Sequence, residues 1–305
     1  MTDYKAIFGK KIKFLTTDLS TAQAEGEIFY SNTDSEFKVA IAAGAWSAGS
    51  PLAAARKGLA GAGTTTAGLS FGGTGDTNAT EEYNGSGWST GGDLNTARAS
   101  IAGAGTQTAG LAIAGNAPPV TNSSEEYDGT SWTASNNLGT ARSYLAGMGT
   151  QTAGLAYGGD EAPGYSGKTE EYDGTSWTES ADLNTARSML AGAGLQTAGI
   201  AFGGDTPPST AIAESYDGSS WTEVGDLNTA RIRLGGAGLQ TAALAFGGYV
   251  TANSALTESY DGTSWTEVAD LSTARERIGG AGTNTAALCS GGYVSANSAL
   301  TESYD

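Results

Sequence analysis

The sequence predicts an all-β protein built as a six-bladed propeller, with four antiparallel strands to each blade. Three observations carry that expectation. Six tryptophans, Trp46, Trp88, Trp132, Trp177, Trp221 and Trp265, recur at steps of 42, 44, 45, 44 and 44 residues. Ten residues after each comes an arginine (Arg56, Arg98, Arg142, Arg187, Arg231, Arg275), and seventeen further on the second glycine of a Gly-Gly pair, which only Ala114 breaks. A tyrosine closes each unit at positions 83, 127, 172, 216, 260 and 304, five residues before the next tryptophan where one exists. A period in the mid-forties, with short alternating runs and glycine punctuation, is that of a four-stranded propeller blade.

Residues 1–40 stand outside the repeat and are expected to form a small β-hairpin attachment segment, leaving 41–305 for the propeller. Ile12–Leu15 reads as a short strand, and Gly26–Tyr30 and Glu36–Ile41 flank the polar run Ser31–Ser35 as the arms of a hairpin would. The wording Glu-Gly-Glu-Ile-Phe-Tyr-Ser-Asn-Thr-Asp-Ser-Glu-Phe-Lys at 25–38 resembles a hairpin unit of tail-fibre and other virion proteins of bacteriophages. That resemblance implies a virion component that docks to other virion proteins through residues 1–40.

Residues 142–182 serve as the type unit. Ser143–Met148 reads as a first strand of small and apolar residues, suited to the crowded innermost position. Gly149–Thr152 is expected to turn the chain into a second strand, Ala153–Tyr157, which Gly158-Gly159 stops by taking positive φ or admitting another backbone. A third strand at Lys168–Tyr172 leads to Asp173-Gly174, a strong tight-turn signal, and a fourth strand follows through Ser176–Glu179. Asp182–Ala186 crosses to the next arginine. The order arginine, Gly-Gly, Tyr-Asp, tryptophan, arginine resembles the kelch repeat throughout 46–305, and the resemblance implies a β-propeller. Tryptophan and tyrosine supply apolar area between sheets otherwise built of glycine, alanine and threonine. Each arginine is expected to lay its stem on apolar surface and donate to backbone carbonyls at the crossover.

The first tryptophan precedes the first arginine and the last tyrosine has no tryptophan after it, so each terminus holds part of a blade. The strand around Trp46 is expected to pair with residues 301–304 and close the ring, removing the open edge. Ile41 fills the slot of a repeat tyrosine, as it would if the N-terminal side brings only a fourth strand.

Composition narrows the function. The net charge is −17, and the repeats carry 10 basic against 26 acidic residues, a surface that repels phosphate backbones and argues against nucleic-acid binding. No apolar run approaches the length of a membrane helix, so no membrane insertion is expected. Cys289 is the single cysteine, which excludes an internal disulfide. With no histidine in the chain, Ser-His-Asp and Cys-His nucleophile systems are excluded, as are the histidine ligands that copper-oxidising kelch-like propellers require. The adjacent acids Glu81-Glu82, Glu125-Glu126 and Glu170-Glu171 point to opposite faces of a strand, cannot flank one bond, and read as a solvated edge. The Asp-Gly-Thr-Ser-Trp turn is similar to the Asp-box of sialidases but one residue short. No catalytic residue, metal or cofactor is expected.

Variation points to the binding surface. Tryptophan to arginine is always 10, arginine to glycine 17 and tyrosine to tryptophan 5, whereas glycine to tyrosine runs 10, 12, 13, 12, 12 and 12. The loop between second and third strands also varies most in sequence, and it lies on the same face as the crossovers. Its polar residues are the candidate ligand contacts: Asp76, Asn78, Asn116, Asp160, Tyr165, Asp205, Tyr249, Asn253, Tyr293 and Asn297. Exposed Tyr, Asn and Asp there would suit sugar hydroxyls or a protein partner. The expected function is a non-enzymatic phage virion protein, a fibre or surface appendage, whose loop face meets a host-surface glycan or protein. A cytoplasmic kelch-type interaction module and a glycan-cleaving propeller are the alternatives.

Overall fold

The computed structural model describes residues 3–7, 10–15, 28–31, 36–39, 44–74 and 77–305. They fall in two compact units, Met1–Gly44 and Ala45–Asp305. In the first, Asp3–Ile7, Lys10–Leu15, Ile28–Ser31 and Glu36–Val39 form one sheet in chain order. The outer pairs are antiparallel and the middle pair parallel. The expected hairpin arms pair as Ile28↔Val39 through Ser31↔Glu36. Its turn, 32–35, lies outside the described residues. Asp3–Ile7 is a strand the sequence reading passed over, because five residues with two charges look weak until Lys10–Leu15 pairs with them.

The second unit is a six-bladed propeller of four-stranded antiparallel sheets, with no helix among the described residues. Blade three is typical: Ala146–Thr150, Ala153–Tyr157, Thr169–Tyr172 and Trp177–Ser180. Its first strand begins three residues later than expected and extends to Thr150, because Ser143–Leu145 are taken up by a turn described below. Gln151 and Thr152 alone make the hairpin turn. The loops between second and third strands differ in the structure they add. Blade two lengthens its central strands to Ala109–Asn116 and Val120–Tyr127, and blade three adds a small hairpin pairing Asp160–Glu161 with Gly164–Tyr165.

The ring closes as the out-of-phase termini require. Trp46–Gly49 is the outermost strand of the blade otherwise made by Gly279–Gly282, Ala287–Ser290 and Thr301–Tyr304, in the register Tyr304↔Trp46 to Thr301↔Gly49. Around the axis the innermost strands read Ala-Gly-Ala-Gly or Gly-Gly-Ala-Gly, with Ala-Gly-Met-Gly in blade three, and neighbouring blades touch there backbone to backbone. A Cβ at Gly280 would lie 2.5 Å from the Gly236 carbonyl oxygen, and one at Gly236 2.6 Å from that of Gly192, so only glycine fits. Six blades converge because their inner strands have almost no side chains.

Between blades the core is aromatic. Tyr172 and Trp177 pack at 4.9 Å between ring centroids, and Tyr216 and Trp221 repeat the pair at 4.9 Å. Each indole N–H donates to a hydroxyl on the third strand of the preceding blade: Trp46 to Thr257, Trp88 to Thr301, Trp132 to Thr80, Trp177 to Ser124 and Trp221 to Thr169, at 2.8–3.1 Å. Trp265 breaks the series, its Nε1 buried without a partner, because the corresponding position is Ala213. Ala213→Thr is therefore expected to stabilise the protein by about 1 kcal/mol by supplying the missing acceptor. Denaturant unfolding checks it; an unchanged or lowered midpoint would mean that the site cannot take the hydroxyl.

Candidate ligand face

The repeated arginines are scaffold, in a more specific way than the sequence suggested. All six are buried to within 2% of full burial. Arg231 Nη1 donates to the carbonyls of Gly247 (2.9 Å) and Leu256 (2.6 Å), as expected, while Nη2 forms an ion pair with Glu258 Oε1 at 2.8 Å. The same guanidinium–carboxylate pair recurs as Arg56–Glu81, Arg98–Glu125, Arg142–Glu170, Arg187–Glu214 and Arg275–Glu302, at 2.7–3.1 Å. The second carboxylate oxygen accepts from a crossover backbone N–H, as Glu258 does from Asn228 at 2.6 Å. Burial pulls the Arg231 guanidinium below its ordinary pKa, and the charge of Glu258 opposes that shift. In the sixth pair Arg275 Nη2 also donates to the Cys289 sulfur at 3.1 Å, and Nη1 has no partner among the described residues.

These contacts correct the reading of the acid pairs as a solvated edge. Glu81, Glu125 and Glu170 are buried partners of arginine. Their neighbours face the other side of the sheet and accept from the next blade's tyrosine: Tyr127 Oη donates to Glu82 (2.6 Å), Tyr172 to Glu126, and Tyr216 to Glu171 (2.6 Å). The signal was a glutamate two residues before every repeat tyrosine, an invariant easily overlooked when only pairs are sought.

These tyrosines set one limit of pH stability. Burial, reinforced by the adjacent glutamate, pushes the Tyr127, Tyr172 and Tyr216 hydroxyls up to about 12. A folded pKa above the unfolded one gives stability that is complete below pH ~10 and is lost as pH rises through 12. At the acid limit, hydrogen bonds from Thr130 and Ser131 hold the exposed Asp128 carboxylate at about 2, and Asp173 and Asp217 are held likewise. Their contribution fades as pH falls from ~4 through 2. A melting-temperature profile should be flat between these limits and fall outside them. A steep loss near pH 7 would contradict it.

With the scaffold accounted for, the face carrying crossovers and variable loops holds the remaining chemistry. Asp76 lies outside the described residues. Asn116 is exposed, whereas Asn78, Asp160, Tyr165, Asp205, Tyr249, Asn253, Tyr293 and Asn297 are half-buried, contrary to the expectation of fully exposed side chains. The reason is that neighbouring loops interlock. Tyr165 Oη donates to Asp205 Oδ2 at 2.7 Å, Asn253 Nδ2 to the carbonyl of Val294 at 2.6 Å, and Asn297 Nδ2 to that of Thr74 at 3.4 Å; Lys57 Nζ stands 4.0 Å over the Tyr293 ring. The exposed tips are rich in apolar residues, Pro118, Pro119, Val120, Pro163, Pro207, Pro208, Val250 and Val294, beside the polar Asn116, Thr251 and Ser295. Between the second and third blades the loops enclose an open cleft of about 870 Å³, lined by Pro119, Val120, Thr140, Asp160, Glu161 and Tyr165 among others.

At the centre of this face the backbone makes a closed ring. Two residues after each repeat arginine stands Gly58, Ser100, Tyr144, Met189, Arg233 or Arg277, all left-handed with φ between 52° and 66°. The N–H of each donates to the carbonyl of its counterpart in the preceding blade, from Ser100 to Gly58 (2.7 Å) round to Gly58 to Arg277 (2.9 Å), six bonds of 2.7–3.0 Å. This ring consumes the residues expected to begin the first strands. Its side chains surround a small axial cavity of about 90 Å³. Sequence reading missed the position because it tracked loop lengths; the visible signal was an Arg-x-Arg in two units, Arg231–Arg233 and Arg275–Arg277. Comparison with protein-family models and with curated proteins returns no match.

Proposed function

We propose that the protein is a non-catalytic binding component of a phage virion, a fibre or surface appendage joined to other virion proteins through residues 1–40. Its loop face meets a glycan or protein of the host surface. The observation that carries the binding role is the segregation of sequence variation. Arginine, glutamate, tryptophan and tyrosine recur in every blade and are engaged with one another. Loop tips and ring positions differ among the first four blades and nearly repeat in the last two, all on a single face. A rigid scaffold with one variable surface has the layout of a recognition protein. The virion assignment rests on the hairpin wording at 25–38 alone.

Purified full-length protein should adsorb saturably to some members of a panel of bacterial cells. It should release no chromophore from chromogenic glycosides or esters. Turnover abolished by a single substitution in one blade would overturn the non-catalytic reading, and absence of adsorption to any cell, envelope glycan or virion protein would overturn the binding one.

A further inference from the structure

The structure assigns the axial mouth of the loop face as a subsite for one carboxylate, carried by an acidic saccharide and seated on Arg233 and Arg277. This deepens the glycan arm of the binding role and rests on it.

The ring frees its side chains for recognition. Ring closure uses only backbone N–H and C=O groups, and the six backbones are near-identical in φ although the residues are Gly, Ser, Tyr, Met, Arg and Arg. Side-chain identity at these positions is therefore not needed to build the ring.

Charge singles out the same place. Among the described residues of the propeller, the cations other than the six buried arginines are Lys57, Lys168, Arg233 and Arg277. Lys168 pairs with Glu161 at 2.8 Å, and Lys57 lies on Tyr293. Arg233 and Arg277 share one carboxylate, that of Glu276, at 3.0 and 3.6 Å, and the Nε of each is otherwise unpartnered. Two guanidiniums with one carboxylate leave a single positive charge beside the axial cavity, which both arginines line. A guanidinium fork fits a planar carboxylate in two-point fashion. The three groups, Arg233, Arg277 and Glu276, carry one net positive charge, which suits a monoanion better than a doubly charged phosphate.

The remaining features favour a sugar over an acidic peptide. The cavity, about 90 Å³, holds a single acid group. The Tyr144 ring lies across the same cavity, 6.0 Å from the Arg277 guanidinium carbon, so an aromatic side chain adjoins the charge, as saccharide binding uses. A protein of net charge −17 repels a polyacidic peptide at long range, whereas a saccharide with one carboxylate is attracted locally at little long-range cost.

Titration of full-length protein with glucuronic acid, followed by NMR on the arginine Nε–H signals, tests the assignment. Expected are saturable shifts of the Arg233 and Arg277 signals, none with glucose or the methyl ester of glucuronic acid, and at least tenfold weaker binding in Arg277→Gln and Arg233→Gln, with cooperative unfolding retained in both. Equal binding of the methyl ester, equal or tighter binding of N-acetylglutamate or inorganic phosphate, or full binding by both glutamine variants would each overturn it, as would no shift up to high millimolar acid. If cells still adsorb both variants as well as the parent, the subsite fails while the loop-face reading stands; if the parent binds neither cells nor sugar, the broader reading fails first.

Discussion

Removal of residues 1–50 is expected to abolish the monodisperse, cooperatively folded propeller. The deletion takes away Trp46–Gly49, the strand paired with the outer side of Thr301–Tyr304, and with it the contacts of Trp46 with Phe246 (4.9 Å) and Tyr304 (5.3 Å). The indole hydrogen bond to Thr257 is lost too. An unpaired strand edge next to an emptied aromatic pocket invites pairing with a second chain. Losing the indole alone costs about 3–5 kcal/mol. Removal of residues 1–44, which keeps the closing strand, is the control. Light scattering and thermal melting decide it: a 51–305 protein that stays monomeric with the control's melting temperature would contradict closure by this strand.

Loss of one buried cation should cost nearly as much from a single side chain. Arg231→Met leaves Glu258 charged, 2% exposed and facing apolar surface, with the Gly247 and Leu256 carbonyls short of a donor. Breaking such a pair costs about 3–5 kcal/mol. Adding Glu258→Gln to the same protein should recover part of the loss, because the stranded charge is removed while the acceptor for the Asn228 N–H is kept. Chemical unfolding of the two single variants and the double gives the coupling directly. Equal, additive losses would mean that the two groups do not act as a pair.

The fold was legible because its determinants are local and repeated. Trp, Arg, Gly-Gly and Tyr-Asp-Gly each mark a strand end or a joint, and six copies turned a weak pattern into a spacing rule. The out-of-phase termini even disclosed which strand closes the ring. What escaped depends on contacts between units. Glu258 on its own reads as an ordinary strand acid, and only the approach of Arg231 across 27 residues of chain makes it a buried partner. Tyr144 and Met189 read as the start of an inner strand, whereas the hydrogen bond from each to the blade before it holds them left-handed. The candidate loops were located correctly on the crossover face, yet the exposure of their polar residues was misjudged, since Tyr165 and Asp205 belong to different blades and meet only when the ring is complete. Polarity alone does not reveal which loop side chains are spent on their neighbours.

That distinction fixes the most direct test of the account, in which repeated residues build the ring and one face binds. Val120, Val250 and Val294 are exposed tips of the loop face, while Leu195 and Leu239 are exposed at hairpin turns of the opposite face. The measurement is saturation binding to susceptible cells by two variants, one with the three valines changed to serine and one with both leucines changed to serine, each with its melting temperature. The account predicts at least tenfold weaker binding for the valine variant, parent-like binding for the leucine variant, and melting temperatures within a few degrees of the parent, because exposed side chains contribute little to stability. Binding retained by the valine variant and lost by the leucine variant would put the recognition surface on the other side of the ring.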